Sequence, residues 1–421
     1  MHSSENVAAS EAGNDLAPLN PMLPEFLVDP YSFYHRYRAS DPVHWRRSTT
    51  PGSPGCWYLF RHAEVEALLK DARVSRELHN LVPGAKRAQK TSANNPIFSI
   101  LSKFIIFRDP PDHTRLRRLS IKAFTPRMVE KLKPRIEVIA NALLDQVQKQ
   151  GGMDLIADFA FPLPASVIAE IIGIPSTFQE QLKEWSKALL KIVDFQPGDA
   201  NHKQHFMAVM DFWRCMKYLA GERRKEPQDD LLSALLSAEE QGQKLTEDEV
   251  LASCMMILWA GHETTENPIG NGMLALLRHP EQMEMWRDNP GLAQTAVEDL
   301  LRFDSPSLMV GRGVLEDLEI GGKRVSAGQL VVGVIGAANR DPEKFAEPDR
   351  LDLTRVENEH LSFGEGIHYC IGASLARAEA KIAFNTLLQR LRNLALVHET
   401  PAWSPNVSIR GLKTLPLTFS H

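Results

Sequence analysis

Residues 361–373 read LSFGEGIHYCIGA, a glycine-punctuated stretch that delivers one cysteine, Cys370, to the start of a long helical pattern. Gly364, Gly366 and Gly372 let the backbone turn tightly and let a large flat group approach it closely. The helix is predicted from near Ile371 to about Leu391. Cys370 therefore falls at a helix N-terminus, where unpaired N–H groups and the positive end of the dipole favour a thiolate. A thiol so placed serves as an inert buried group, as a nucleophile with a base such as His368, or as a metal ligand. These thirteen residues, read one by one, leave all three uses open.

Outward from this loop, the chain has ordinary globular composition. Its 421 residues are 43% apolar and 24% charged, which allows a substantial core and excludes a disordered, collagen-like or coiled-coil chain. Lys and Arg number 48 against 53 Asp and Glu, so a general binder of nucleic acid or anionic membrane is not expected. Four scattered cysteines without a CxxC pair fit neither a disulfide framework nor a zinc ribbon. The N-terminus lacks the basic-then-apolar order of a signal peptide, and no apolar run nears the roughly 18 residues that span a bilayer. A cytoplasmic protein without membrane insertion is expected.

Residues 1–25 are expected as a flexible tail and 26–421 as one domain, mainly α with a small β portion. Short strands are predicted at Val43–Trp45, Cys56–Phe60, Leu308–Val314 and 329–333, with a hairpin at Gly321-Gly322. Residues 78–104 show little periodicity and are expected as a long irregular connection. From Pro111 to about Pro280 the pattern is helical almost throughout.

Inside that block, Thr246 to Leu277 forms a central helix opened by the capping box Thr246-x-x-Glu249. Gly261, Gly270, Gly272 and Pro268 together cost it roughly 6 kcal/mol in propensity, so local preference alone does not build this helix. Pro268 has no N–H for the carbonyl of Thr264, and the helix is expected to open there. A notch at Gly261, an acid at Glu263 and a hydroxyl at Thr264 then come together. Val250, Cys254, Ile257, Gly261 and Thr264 share a face by 3–4 spacing.

The string Phe363-x-x-Gly366-x-His368-x-Cys370-x-Gly372 resembles the haem-binding loop of the cytochrome P-450, or haem-thiolate, superfamily. Ala260-Gly-His-Glu-Thr-Thr265 resembles its oxygen-activation motif, and the likeness runs from about Pro30 to the end. The resemblance implies haem b (iron protoporphyrin IX), Cys370 as axial thiolate with Phe363 packed near the sulfur, and Gly366 and Gly261 beside the cofactor. It implies that Thr264 and Glu263 relay protons to bound dioxygen, with the 250–264 face toward haem and substrate. Cations are needed for the two propionates. His113 and Arg117, four apart on one helix, are otherwise an ordinary basic face. With Arg312 and His368 they match the propionate-binding positions.

The family's Glu-x-x-Arg is replaced by Asp299-Leu-Leu-Arg302, preceded by Glu298. Either acid can pair with Arg302; Asp299 is the first choice, and the resemblance adds Arg350 to the network. The implied activity is monooxygenation of a lipophilic molecule, hydroxylation or epoxidation, with secondary metabolism as a setting. A peroxide-driven enzyme and a non-catalytic haem sensor are the rivals, and neither needs the Thr264–Glu263 pair. No flavin or iron–sulfur segment remains, so electrons are expected from a ferredoxin and its reductase, docking near Arg118, Lys122 and Arg127. By the same analogy the substrate pocket draws on residues 78–104, 185–205, Ile257, Leu308–Val310 and Val407–Ile409. A monomer is expected.

Overall fold

The computed structural model describes residues 23–47, 55–81, 96–193, 201–240 and 242–420. Its principal elements begin with α1 (Pro24–Val28), α2 (Pro30–Ser40), β1 (Val43–Arg46), β2 (Cys56–Leu59), α3 (His62–Lys70) and β3 (Val74–Ser75). Five helices follow: α4 (Asp112–Ala123), α5 (Pro126–Val147), α6 (Pro162–Ile172), α7 (Gln179–Val193) and α8 (His202–Lys225). The chain continues through α9 (Glu247–Arg278), α10 (Ala293–Phe303), β4 (Met309–Val314), β5 (Leu330–Val334) and α11 (Ala373–Arg390). The mainly helical architecture with a small β portion is as the sequence predicts.

α1 starts at Pro24, beside the expected boundary at residue 25, and Phe26 is buried in an aromatic cluster with Tyr31, Tyr34 and Tyr37. Residues 82–95 lie outside the described residues, but Leu78–Leu81 and Pro96–Leu101 are short helices, so the connection is less irregular than its sequence suggests.

The main sheet has the order β1-β2-β5-β4-β3, with β5 parallel to β2 and the other pairs antiparallel. Side chains alternate across it. Leu59, Val314 and Val331 pack with Val65, Leu68 and Leu69 of α3 on one face, while Tyr58, Phe60 and Val334 meet α1 and α2 on the other.

The capping box at Thr246 and Glu249 is formed, and α9 runs unbroken through Pro268. The expected opening is thus limited to the one bond that proline cannot donate, because neighbouring helices hold both halves in line. The glycines explain their own cost. A Cβ at Gly272 would stand 2.6 Å from Phe384 Cζ on α11, and one at Gly261 would stand 2.8 Å from Ile168 Cδ1 on α6. Close packing of two helices onto α9 offsets the weak propensity.

Asp299 and Arg302 are both 0% exposed, and Arg302 Nε donates to Asp299 Oδ1 at 2.6 Å. Three of the remaining guanidinium protons go to the carbonyls of Asn339, Pro348 and Arg350. The pairing with Asp299 is the one the sequence favours, but the Arg350 side chain is not in the network. It turns to exposed Glu347, and Arg355 takes the place, 3.0 Å from Asp299. Arg350 contributes only its carbonyl because the chain turns outward there. Removing one member of a fully buried pair leaves an uncompensated charge. Asp299→Ala is therefore expected to cost about 3–5 kcal/mol in chemical denaturation and to lower the yield of folded protein sharply.

Candidate active site

Between α9, α4, the Cys370 loop and β4 lies a mostly apolar cavity of about 270 Å³. Cys370, Phe363, Gly364 and His368 line one wall and Thr264, Ala260 and Met256 another. The loop is held by its own backbone: Cys370 N donates to Phe363 O at 2.9 Å. Gly364 and Gly366 both adopt φ of +70°. At Gly366 a Cβ would meet the carbonyl oxygen of Leu69 at 2.6 Å. This glycine docks the loop on the end of α3 and is not among the residues that line the cavity. Gly364 does line it.

α11 begins at Ala373, two residues after the predicted start, so Cys370 stands just ahead of the helix. Its sulfur feels the Gly372 N–H and the charges of Arg117 and Arg377, which favour the thiolate, but burial outweighs them and pushes the thiol up. The helix end alone does not make this sulfur an anion. A cation in the cavity is needed for that.

The cavity rim collects cations. His113 and Arg312 are buried, and Arg117 donates to Tyr369 O at 2.7 Å. The rings of His113 and His368 lie 4.4 Å apart. Arg76, which the sequence reading did not single out, joins them; it is tied to Gly311 O at 3.1 Å and to Ile106 O at 3.3 Å. Burial and then the surrounding His113 and arginine charges hold the His368 imidazole down to about 2. Arg312 is held down to about 9 by burial, with Arg76 adding to it. Among the described residues, the only carboxylate in this wall is Glu365. His113 Nε2 is buried with no hydrogen-bond partner. Three arginines, partly balanced by Asp109, with two imidazoles that burial holds below their ordinary value, suit a ligand that brings its own anionic groups.

On α9 the predicted face is only partly right. Thr264 faces the cavity, but Gly261 packs on Ile168, and Val250, Cys254 and Ile257 pack into the helical core. The cavity stripe runs Met256, Ala260, Thr264 and Pro268, a strict i+4 series shifted by about one residue from the predicted one. The Thr264 hydroxyl donates to Ala260 O, which leaves its lone pairs free to accept from the cavity. Glu263 is adjacent in sequence and does not line the cavity. Glu266 is largely buried, and burial together with the Glu263 charge raises it to about 8, so it holds a proton near neutrality.

Of the expected substrate lining, Val310 reaches the cavity. Ile257 and Leu308 pack elsewhere, and Val407 lines a neighbouring cleft. Residues 194–200 lie outside the described residues.

Glu298 has a use that the sequence left undecided. It accepts from Arg377 at 2.7 and 2.8 Å and meets His360 Nε2 at 3.1 Å. Arg377 in turn donates to the Tyr369 hydroxyl at 3.2 Å and lies 4.2 Å from the centre of the Phe363 ring. The two neighbouring acids divide the work: Asp299 serves the scaffold and Glu298 the cysteine loop. The signal for Arg377 was its place two turns along the helix after Cys370. For Arg76 there was none, since its place is set by the carbonyls of Ile106 and Gly311, far along the chain.

The cytochrome P450 family model matches residues 77–416. The chain belongs to the cytochrome P450 family. It is 43% identical to cytochrome P450 CYP107DY1 of Priestia megaterium over 403 residues, covering 94% of this chain and 97% of that protein. It is 39% identical to the polyketide biosynthesis cytochrome P450 PksS of Bacillus subtilis, covering 94% and 97%. Among solved structures it is similar to P450BioI in complex with hexadec-9Z-enoic acid ligated acyl carrier protein, with a TM-score of 0.86, 42% identity and coverage of 94% and 99%. This cytochrome P450 is thus a monooxygenase acting on an organic substrate, with haem as its cofactor. The orphaned His113 nitrogen, the arginine-rich rim and the single thiol in the cavity lining all fit that group.

Burial alone would raise the Glu298 carboxyl, but the hydrogen bonds and charges of His360 and Arg377 bring it from 4.5 down to about 2. A depressed carboxyl contributes stability that is present above its unfolded value and lost as pH falls through the folded one. Glu298→Gln is expected to cost roughly 2–3 kcal/mol at pH 7, with the difference from wild type closing as pH drops below about 4.5. Chemical denaturation at stepped pH measures it.

Proposed function

We propose that this P450 binds haem b through Cys370, with His113, Arg117, Arg312 and His368, joined by Arg76, on the two propionates. One observation carries the reading: Cys370 and Thr264 face a single apolar cavity whose lining, among the described residues, gathers Arg76, Arg117 and Arg312 and the imidazoles of His113 and His368 with one carboxylate, Glu365. When bound, the haem supplies dioxygen activation, with one oxygen atom entering the substrate and the other leaving as water. Phe363 backs the loop, and its carbonyl fixes the Cys370 backbone. Thr264 accepts a hydrogen bond from water in the cavity, while Glu263 and the protonated Glu266 pass protons toward it along α9.

The substrate is a lipophilic molecule that is hydroxylated or epoxidised, as the apolar lining suits and as a relative named for polyketide biosynthesis supports for secondary metabolism. Electrons arrive from a ferredoxin and its reductase, and the enzyme works as a cytoplasmic monomer. No helix among the described residues is long and apolar enough to cross a membrane, which accords with that setting. The carrier docks on the exposed basic face of Arg118, Lys122 and Arg127.

The reduced, carbon-monoxide-treated protein is expected to give the thiolate-type Soret band, and Cys370→His the imidazole type. A colourless protein after haem supplementation overturns the reading. Thr264→Ala is expected to lower product formed per dioxygen consumed by roughly 10-fold or more, with haem content unchanged. Charge reversal at Arg118 and Arg127 is expected to raise the apparent KM for the ferredoxin at low salt and leave that for the substrate unchanged.

A further inference from the structure

The helix α4 turns His113 and Arg117, four residues apart, toward the cavity on one face. Arg115 stands midway between them in sequence. At about 100° per residue its side chain leaves the helix on nearly the opposite side, and it is not among the residues that line the cavity.

Its partner is Glu249, in the first turn of α9 and 134 residues further along the chain. Arg115 Nη1 donates to Glu249 Oε2 at 3.3 Å and Nη2 donates to Oε1, so both carboxylate oxygens are engaged. The same Oε2 accepts from the Thr246 N–H at 2.8 Å and closes the capping box. One carboxylate thus fixes the start of α9 and grips the back of α4. The two side chains are 24% and 14% exposed, which shields the pair from the screening that weakens surface ion pairs. Burial by itself would raise the Glu249 carboxyl, yet the hydrogen bonds of Arg115 and Thr246 hold it below the ordinary carboxylate value.

The neighbouring tie is weaker. Lys103 Nζ lies 3.6 Å from Asp248 Oδ2, but that pair is more exposed and contributes less. At the far end of α4, Lys122 Nζ donates to Glu239 O at 3.1 Å. Arg115 is the tie level with the two cavity-facing groups. A two-pronged pair fixes direction as well as distance, so it resists a roll of α4 about its own axis. At an outer helix radius of roughly 5–6 Å, a roll of about 20° moves a side-chain tip by about 2 Å. That is enough to break a hydrogen bond.

We propose that Arg115 and Glu249 are positioning residues for the cofactor: the pair braces α4 against α9 from behind and thereby aims His113 and Arg117 at the propionates. The inference rests on the haem-binding reading above and adds two residues that do not touch the haem.

The test uses the haem-loaded full chain. Two quantities are read, the rate of haem transfer to excess apomyoglobin and the propionate bending band in the resonance Raman spectrum. Arg115→Ala is expected to speed haem loss by roughly 10-fold, as removal of one charge-assisted pair implies, and to shift the band. Arg115→Lys keeps the charge without the two-pronged grip and is expected to recover part of both. Glu249→Gln keeps an oxygen for the Thr246 N–H, so the capping box survives, and is expected to speed haem loss by about 3-fold or more. On a His113→Ala/Arg117→Ala background, adding Arg115→Ala is expected to change haem loss by less than about 2-fold, because the brace acts through the groups it aims. Arg135→Ala, which removes an exposed ion pair with Glu170 between α5 and α6, is expected to leave both readings unchanged.

An unchanged rate and band in Arg115→Ala overturn the proposal, and so does a full-sized effect on the background lacking both His113 and Arg117. If Arg115→Ala does not fold, Arg115→Lys and Glu249→Gln decide the matter by the same two readings. A His113→Ala/Arg117→Ala protein that itself keeps the wild-type rate and band fails the cofactor reading instead.

Discussion

The Asp299–Arg302 ion pair is the contact on which the rest of this structure depends. Neither side chain touches water, and three more protons of the guanidinium go to carbonyls of the 339–350 meander. The same carboxylate accepts from Asp352 N at 2.6 Å and from Arg355. One buried charge pair thus gathers the long segment that has little secondary structure of its own and ends in the cysteine loop. Such a pair is costly to desolvate and adds little net stability, but it specifies a single arrangement for chain that hydrophobic packing would leave loose.

Glu298, one residue earlier, extends this control to the loop itself. A helix places consecutive side chains about 100° apart, so adjacent acids on α10 reach different neighbours. Asp299 meets the meander and Glu298 meets Arg377 on α11, whose guanidinium covers the Phe363 ring. The loop is gripped from the scaffold below and from the helix that follows it, and the cavity wall inherits its shape from both.

Much of this was legible in the chain, for identifiable reasons. Cys370, His113, Arg117, Arg312 and His368 are brought to one cavity because motif spacing fixes local backbone geometry, and local geometry survives folding. What failed were statements about which way a helix face points. The 3–4 series through Gly261 is a real stripe, but it meets Ile168 instead of the cavity, since helical periodicity gives a pattern without giving its rotation relative to neighbours. At Gly366, read as clearance for a cofactor, the missing Cβ makes room for the Leu69 carbonyl. Arg76 and Glu266 were missed because their roles arise from burial, which depends on residues distant in sequence. The pairing of Arg302 with Asp299 was foreseen, whereas the replacement of Arg350 by Arg355 depends on a turn that no periodicity encodes.

The contact between Gly272 and Phe384 has a metric consequence. Thr264 stands eight residues before this notch on α9, and Cys370 stands fourteen residues before Phe384 on the chain that becomes α11. The notch therefore serves as a common zero mark for two scales, and it sets the height of the hydroxyl over the sulfur. Inserting a single residue between Thr264 and Gly272 would shift that hydroxyl by about 1.5 Å and swing it through about 100°, away from the cavity. Spacing within each helix is as much a part of the reacting geometry as the identity of the groups it carries.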